Sequence, residues 1–143
     1  LGQKAKTVFE ELIIDKSRIS QYELITSETF TSYGVCQFSF VKSINGFNTN
    51  DTLSIAIDRD GKIKSYTGSR QGIFDNLTVN ADRSDIEKFI DEKVNSRYKN
   101  QTVKYNVNSM TIDKKKNKFY IRCFVGVETE EYITGDEYEY RLK

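Results

Sequence analysis

The sequence predicts an α+β fold made of two similar halves, each a helix packed on an antiparallel meander, and three observations carry that expectation. Residues 82–98, DRSDIEKFIDEKVNSRY, place Ile86, Phe89, Ile90, Val94 and Tyr98 at three- and four-residue spacing between charges, which is one apolar helical stripe. Beyond Asn100 the apolar period becomes alternating, the signature of half-buried strands. The first half carries a fainter copy of both patterns.

The first helix is expected over residues 4–14, extending toward Ile19, with Ala5, Val8, Phe9, Leu12 and Ile13 on one face. Residues 22–30 are rich in β-formers but alternate irregularly, so they read as an extended strand with a bulge. Ser32, Tyr33 and Gly34 turn the chain into a strand on which Cys36, Phe38 and Phe40 share a face. Residues 44–51, INGFNTND, are dense in turn formers around an Asn-Gly step and read as a hairpin loop. Leu53, Ile55 and Ile57 then alternate on a strand before Asp58, Arg59, Asp60 and Gly61 reverse the chain into residues 62–67. Residues 68–81 hold two glycines and no sustained period, and suit a linker.

The second helix follows over residues 82–98, where Ser84 and Glu87 fit a capping box. Val103, Tyr105 and Val107 give the next strand, and the lysine-rich residues 113–118 a solvated hairpin tip. Phe119, Ile121, Cys123, Val125 and Val127 alternate cleanly, as do Tyr138, Tyr140 and Leu142 on the last strand.

An offset of 81 lays Ala5, Val8, Phe9 and Ile13 on Ile86, Phe89, Ile90 and Val94. With four more residues for the longer hairpin, Cys36, Phe38 and Phe40 fall on Ile121, Cys123 and Val125, and Leu53, Ile55 and Ile57 on Tyr138, Tyr140 and Leu142. Parity is kept, and a one-residue slip would turn each apolar row outward. The expected organisation is a module over residues 1–75 and a second over 76–143, standing as two units or sharing one core, since either half alone buries little.

At 143 residues, with 37% hydrophobic and 13% aromatic content, the chain has enough β-forming residues to fold. Its 22 basic residues against 21 acidic ones leave a net charge of +1, no field for a polyanion, so nucleic acid is not an expected partner. No run of about 18 apolar residues is present to span a bilayer. The chain opens Leu1-Gly2, as a trimmed product would, so an export signal is expected to have been removed. Cys36 and Cys123 lack the close spacing of a zinc or redox pair and read as buried thiols, with a disulfide as the competing reading.

Chemistry is sparse. There is no histidine, which removes Ser-His-Asp and Cys-His arrangements and histidine-bearing zinc sites. Phosphate-binding glycine motifs are missing as well, and the short Gly68 to Gly72 stretch does not supply one. Asp58 to Gly61 has the look of a calcium loop, but the twelfth position is Ser69 where the loop needs glutamate, so a hairpin turn is expected. Glu128, Glu130, Glu131, Asp136, Glu137 and Glu139 form an acidic cluster expected to be a solvated strand edge. Tyr132, Tyr138 and Tyr140 with Phe119 and Phe124 are expected mainly in the core, with a ligand groove as the alternative. No catalytic, cofactor-binding or metal-ligating residue is assigned.

The stretch VCQFSFVKSINGFNTNDTLSIAIDRDGKIKSY, from Val35 to Tyr66, resembles the PepSY-like, cystatin-like group of bacterial secreted and envelope proteins: an aromatic strand, an Asn-Gly loop, an aliphatic strand, then an Asp-Gly-Lys turn into another strand. The resemblance implies tandem helix-on-meander modules in an extracellular or cell-envelope setting, lipoproteins among them. It implies no shared catalytic residues and an inhibitory, chaperoning or interaction role. The function expected is therefore a non-enzymatic extracytoplasmic module binding a protein or peptide. The rival is a small-molecule carrier or enzyme of nuclear-transport-factor-like fold with an apolar pocket, and a structural spacer is a third reading.

Overall fold

A computed structural model describes residues 1–13, 16–25 and 30–143. Among them lie two α-helices, a short 3₁₀ helix and seven strands, an α+β architecture of mostly antiparallel strands. No helix among the described residues is long and apolar enough to cross a membrane. The chain divides into two compact units, Leu1–Ile44 with Thr49–Leu77, and Asn45–Asn48 with Thr78–Lys143.

In the first unit α1 (Gly2–Leu12) buries Ala5, Val8 and Phe9. It starts two residues earlier than expected and stops at Leu12, with Ile13 extended at φ −70° and ψ 126°. The stop has a local cause. The Lys16 ammonium donates to the carbonyls of Glu11 and Ile13, satisfying acceptors that a helix end leaves open. Ile19 then falls in the 3₁₀ helix Lys16–Gln21, while Ile14 lies outside the described residues.

Four strands follow in the neighbour order β1 (Tyr22–Leu24), β2 (Val35–Ile44), β3 (Phe47–Asp58) and β4 (Ile63–Ser69). The strand expected over 22–30 is short: it ends at Leu24, Phe30 makes an isolated bridge to Cys36, and residues 26–29 lie outside the described set. Gly34, at φ 75°, closes the turn before β2. Phe9 stacks on Phe40 at 4.3 Å and meets Tyr22 edge-on at 5.3 Å, which joins α1 to the sheet. With Cys36, Phe38, Leu53, Ile55 and Ile57 these side chains form one apolar cluster.

The eight-residue loop expected over 44–51 is instead a two-residue turn, Asn45-Gly46, at φ 50° and 81°. Both angles are left-handed, as a tight hairpin whose twist matches its strands requires. Strand β3 therefore begins at Phe47, and its inward face runs Phe47, Thr49, Asp51, Leu53, Ile55, Ile57. Two polar residues stand inward in that row, which conceals the strand from a hydropathy reading. Asp58 ends it: its carboxylate accepts from the backbone N–H of Asp60 and of Lys62, both at 2.9 Å, and Gly61 sits at φ 82°. That is the expected hairpin turn.

The segment expected as a linker is partly structured. Backbone bonds from Ile73 to Arg70, Asp75 to Gly72 and Leu77 to Phe74 wind residues 70–77 into successive turns, and Phe74 is buried.

In the second unit α2 (Arg83–Arg97) buries Ile86, Ile90 and Val94. Its cap is not Ser84 with Glu87. Asp82 is the N-cap, its carboxylate accepting from the Asp85 N–H while the Asp85 carboxylate accepts from the Asp82 N–H. Ser84 merely donates to Asp82, and Glu87 pairs with Arg83. Two carboxylates in the first turn also complement the positive end of the helix, which favours this box over the serine one.

Strands β5 (Lys104–Lys115), β6 (Lys118–Glu128) and β7 (Ile133–Arg141) form an antiparallel meander. The lysine-rich tip is only Lys116-Asn117, at φ 51° and 63°, so β5 and β6 run through most of the expected loop. A bulge at Asn108 changes the inward parity of β5 from odd to even residues: Val107 faces Val125, but Met110 faces Cys123 and Ile112 faces Ile121. Helix α2 packs on β7, where Phe89 meets Tyr140 edge-on at 5.2 Å.

Asp82→Ala is expected to lower stability to urea by about 1 kcal/mol, as loss of an N-cap does, while Ser84→Ala changes it by a few tenths. Equal losses would return the cap to Ser84.

Candidate functional site

Asp51 has no solvent-exposed surface, and every bond to its carboxylate comes from a donor placed by a different segment. The Tyr22 hydroxyl of β1 donates at 2.6 Å and the Arg18 guanidinium of the 3₁₀ helix at 2.9 Å. The Gln71 amide and the Gly72 backbone N–H, from the turns after β4, donate at 3.1 and 3.0 Å. A carboxylate offers about four lone-pair sites, so these four donors saturate it. Behind it, Thr49 accepts from the Asp51 N–H and donates to the Lys42 carbonyl, which fixes the start of the inward row.

The charges continue outward. Arg18 also contacts Asp75 at 3.2 Å, and the nearly buried Lys42 ammonium donates to the same oxygen at 2.7 Å. Two cations thus face two carboxylates, and only Asp75 is substantially exposed, at 41%. Buried charge persists when each ion is paired and hydrogen-bonded; each ion here has a partner of opposite charge, while the Arg18 Nε is buried without an acceptor. Burial, then the bond to Asp51, push the Tyr22 phenol well above its usual value.

The second unit has a comparable centre. Asp136, on β7, is 6% exposed and accepts from the Tyr98 hydroxyl at 2.6 Å and the Tyr138 hydroxyl at 3.1 Å. Arg97 at the end of α2 stands 3.7 Å away. The hydrogen bond to Asp136 and burial push Tyr98 up to about 12, and burial followed by the same carboxylate raises Tyr138. Arg97 is held further toward its charged form by Asp136. The offset that lays Leu53 on Tyr138 also lays Asp51 on Asp136.

Sequence reasoning placed neither centre. Asp51 fell in the expected loop and Asp136 in the expected solvated cluster, which it leaves: Glu128, Glu130, Glu131, Glu137 and Glu139 are exposed, Asp136 is not. The available signal was the alignment of the two halves, carried two residues upstream of its apolar matches. Of the grouped aromatics only Tyr138 is fully in the core; Phe124 and Tyr132 are 43% and 47% exposed. Cys36 and Cys123 are free, buried thiols, and burial pushes Cys123 up to about 11, far from the thiolate a nucleophile needs.

A groove in the second unit, about 640 Å³, is lined by residues 100–102 and 129–132. Its lining is amide, hydroxyl and carboxylate with one tyrosine, and Thr129 organises its rim by accepting from the N–H groups of Glu131 and Tyr132. An apolar carrier pocket has a different lining. Among the described residues no group of three or more His, Cys, Asp or Glu side chains is placed to hold a metal ion. No family model, curated protein or solved structure matches this chain.

Asp51→Ala removes an acceptor shared by a guanidinium, a phenol, an amide and a backbone N–H, and is expected to cost about 3–5 kcal/mol in urea unfolding. Tyr22→Phe removes one donor and is expected to cost about 1–2 kcal/mol. A loss for Asp51→Ala no larger than for Tyr22→Phe would contradict the anchoring role. Because the folded chain holds Tyr98 and Tyr138 protonated above the ordinary value of 10.0, the stability they contribute is full below pH 10 and is lost as pH rises toward 12. Tyrosinate absorbance should show this late-ionising set together with falling stability over that window, and Tyr98→Phe should weaken the fall.

Proposed function

We propose that this chain is a non-enzymatic extracytoplasmic binding or regulatory module that acts on a protein or peptide, built from two PepSY-like, cystatin-like halves that arose by duplication. Duplication is supported by more than apolar parity. In each half an inward aspartate accepts from a tyrosine and contacts an arginine: Tyr22 of β1 and Arg18 of the 3₁₀ helix after α1 for Asp51, Tyr98 and the last residue of α2, Arg97, for Asp136. Those carboxylates are engaged as anchors, with their lone pairs turned to the protein's own donors. They are poorly placed to exchange protons with a substrate.

The observation that carries the binding role is β4. All seven of its residues are exposed, including Tyr66 at 59% and Ile63 at 44%. A strand open along its length offers the main-chain and side-chain contacts by which extended segments are recognised.

The experiment is a display of random extended peptides against the chain, followed by calorimetry on those retained. Saturable binding of a peptide class is the expected result. A chain that retains no peptide, yet is stabilised against heat by apolar small molecules, would contradict the proposal and favour a carrier.

A further inference from the structure

We infer that the free edge of β4 is the docking strand and that its partner is an extended acidic segment, added as a further antiparallel or parallel strand. The inference rests on the binding-module reading above and names the surface and the partner chemistry.

Strand β4 pairs with β3 along one side, from Thr52 opposite Ser69 to Ile57 opposite Ile63. Among the described residues no strand pairs with its other side. In such a ladder every second residue turns both its N–H and its C=O away from the existing partner, so the outer edge presents about three unpaired sites. The side chains give it two different faces. Tyr66 stands opposite Ile55 and Ile63 opposite Ile57, so both continue the inward apolar row of β3, yet both are exposed where Ile55 and Ile57 are not. An added strand would set one of its own faces beside that extension and cover it.

Charge selects the partner. From Asp58 to Arg70 the chain carries four cations, Arg59, Lys62, Lys64 and Arg70, against two carboxylates. One of those carboxylates is already engaged: Asp58 accepts from the N–H groups of Asp60 and Lys62 and lies 3.4 Å from Lys64, whose side chain remains 55% exposed. The edge is therefore net basic. A second copy of the chain pairing β4 to β4 would oppose like charges. An acidic segment meets no such repulsion and gains complementary charge on approach.

The test uses two fluorescent twelve-residue peptides, one alternating threonine with glutamate and one alternating threonine with lysine, read by anisotropy and by amide exchange of the bound protein. The glutamate peptide should bind, weaken as salt rises, and slow exchange at residues 63–69; the lysine peptide should not bind. The double variant K62E/K64E, on exposed side chains, should keep its circular dichroism, lose about tenfold or more in affinity for the glutamate peptide and gain the lysine one. Tyr66→Ala should weaken binding severalfold. Equal binding of both peptides, or an unchanged affinity in K62E/K64E, overturns the inference. Specific binding that protects amides elsewhere also overturns it while leaving the binding-module reading standing, whereas display that retains no peptide of any class removes both. Protection of residues 63–69 that grows with protein concentration and needs no peptide identifies a second copy as the occupant, and overturns the acidic partner.

Discussion

A carboxylate buried without a bonding partner costs several kcal/mol, and the first unit is arranged around avoiding that cost at Asp51. Hydrophobic burial alone sets neither the position of the 3₁₀ helix nor that of the turns after β4. The Asp51 oxygens do, because Arg18 and Tyr22 reach them from one side and Gln71 and Gly72 from the other. Residues far apart in sequence are thereby fixed to the first part of β3. The same carboxylate sets the strand's register, since a slip by one residue would expose Leu53, Ile55 and Ile57 and leave those donors without an acceptor.

Where apolar periodicity was strong, the sequence was legible. Helix α2, the alternation on β6 and β7, and the Asp58 to Gly61 turn stand where their patterns place them. The reading failed where polar residues do structural work. Thr49 and Asp51 face inward, so the start of β3 looked like loop; Asp136 sat among true surface glutamates and looked like one of them. Gly72 and Gln71 looked like linker because their role is to donate to a residue about twenty positions away, which no local pattern reveals. The bulge at Asn108 and the Lys16 stop of α1 are likewise set by backbone accounting rather than hydropathy.

These polar anchors bear on function by separating what is committed from what is open. Arg18, Lys42, Asp51, Tyr98 and Asp136 are bound to one another within their units, and their chemistry is directed inward. What faces outward is strand surface: the full length of β4, and across β5, β6 and β7 a ladder in which Arg122 joins Asp113 to Glu137. The ladder is self-paired, whereas β4 keeps apolar side chains and cations toward solvent. The scaffold is held by internal ion pairs and presents a strand with one open edge.

Native-state hydrogen exchange on Asp51→Asn tests the anchoring claim most directly, because the substitution keeps the shape of the side chain while removing its charge and half its acceptors. The account predicts faster exchange at residues 16–24, 49–53 and 70–75, with the amides of α2 and β6 unchanged. Exchange unchanged in those segments, or accelerated equally throughout the chain, would contradict it.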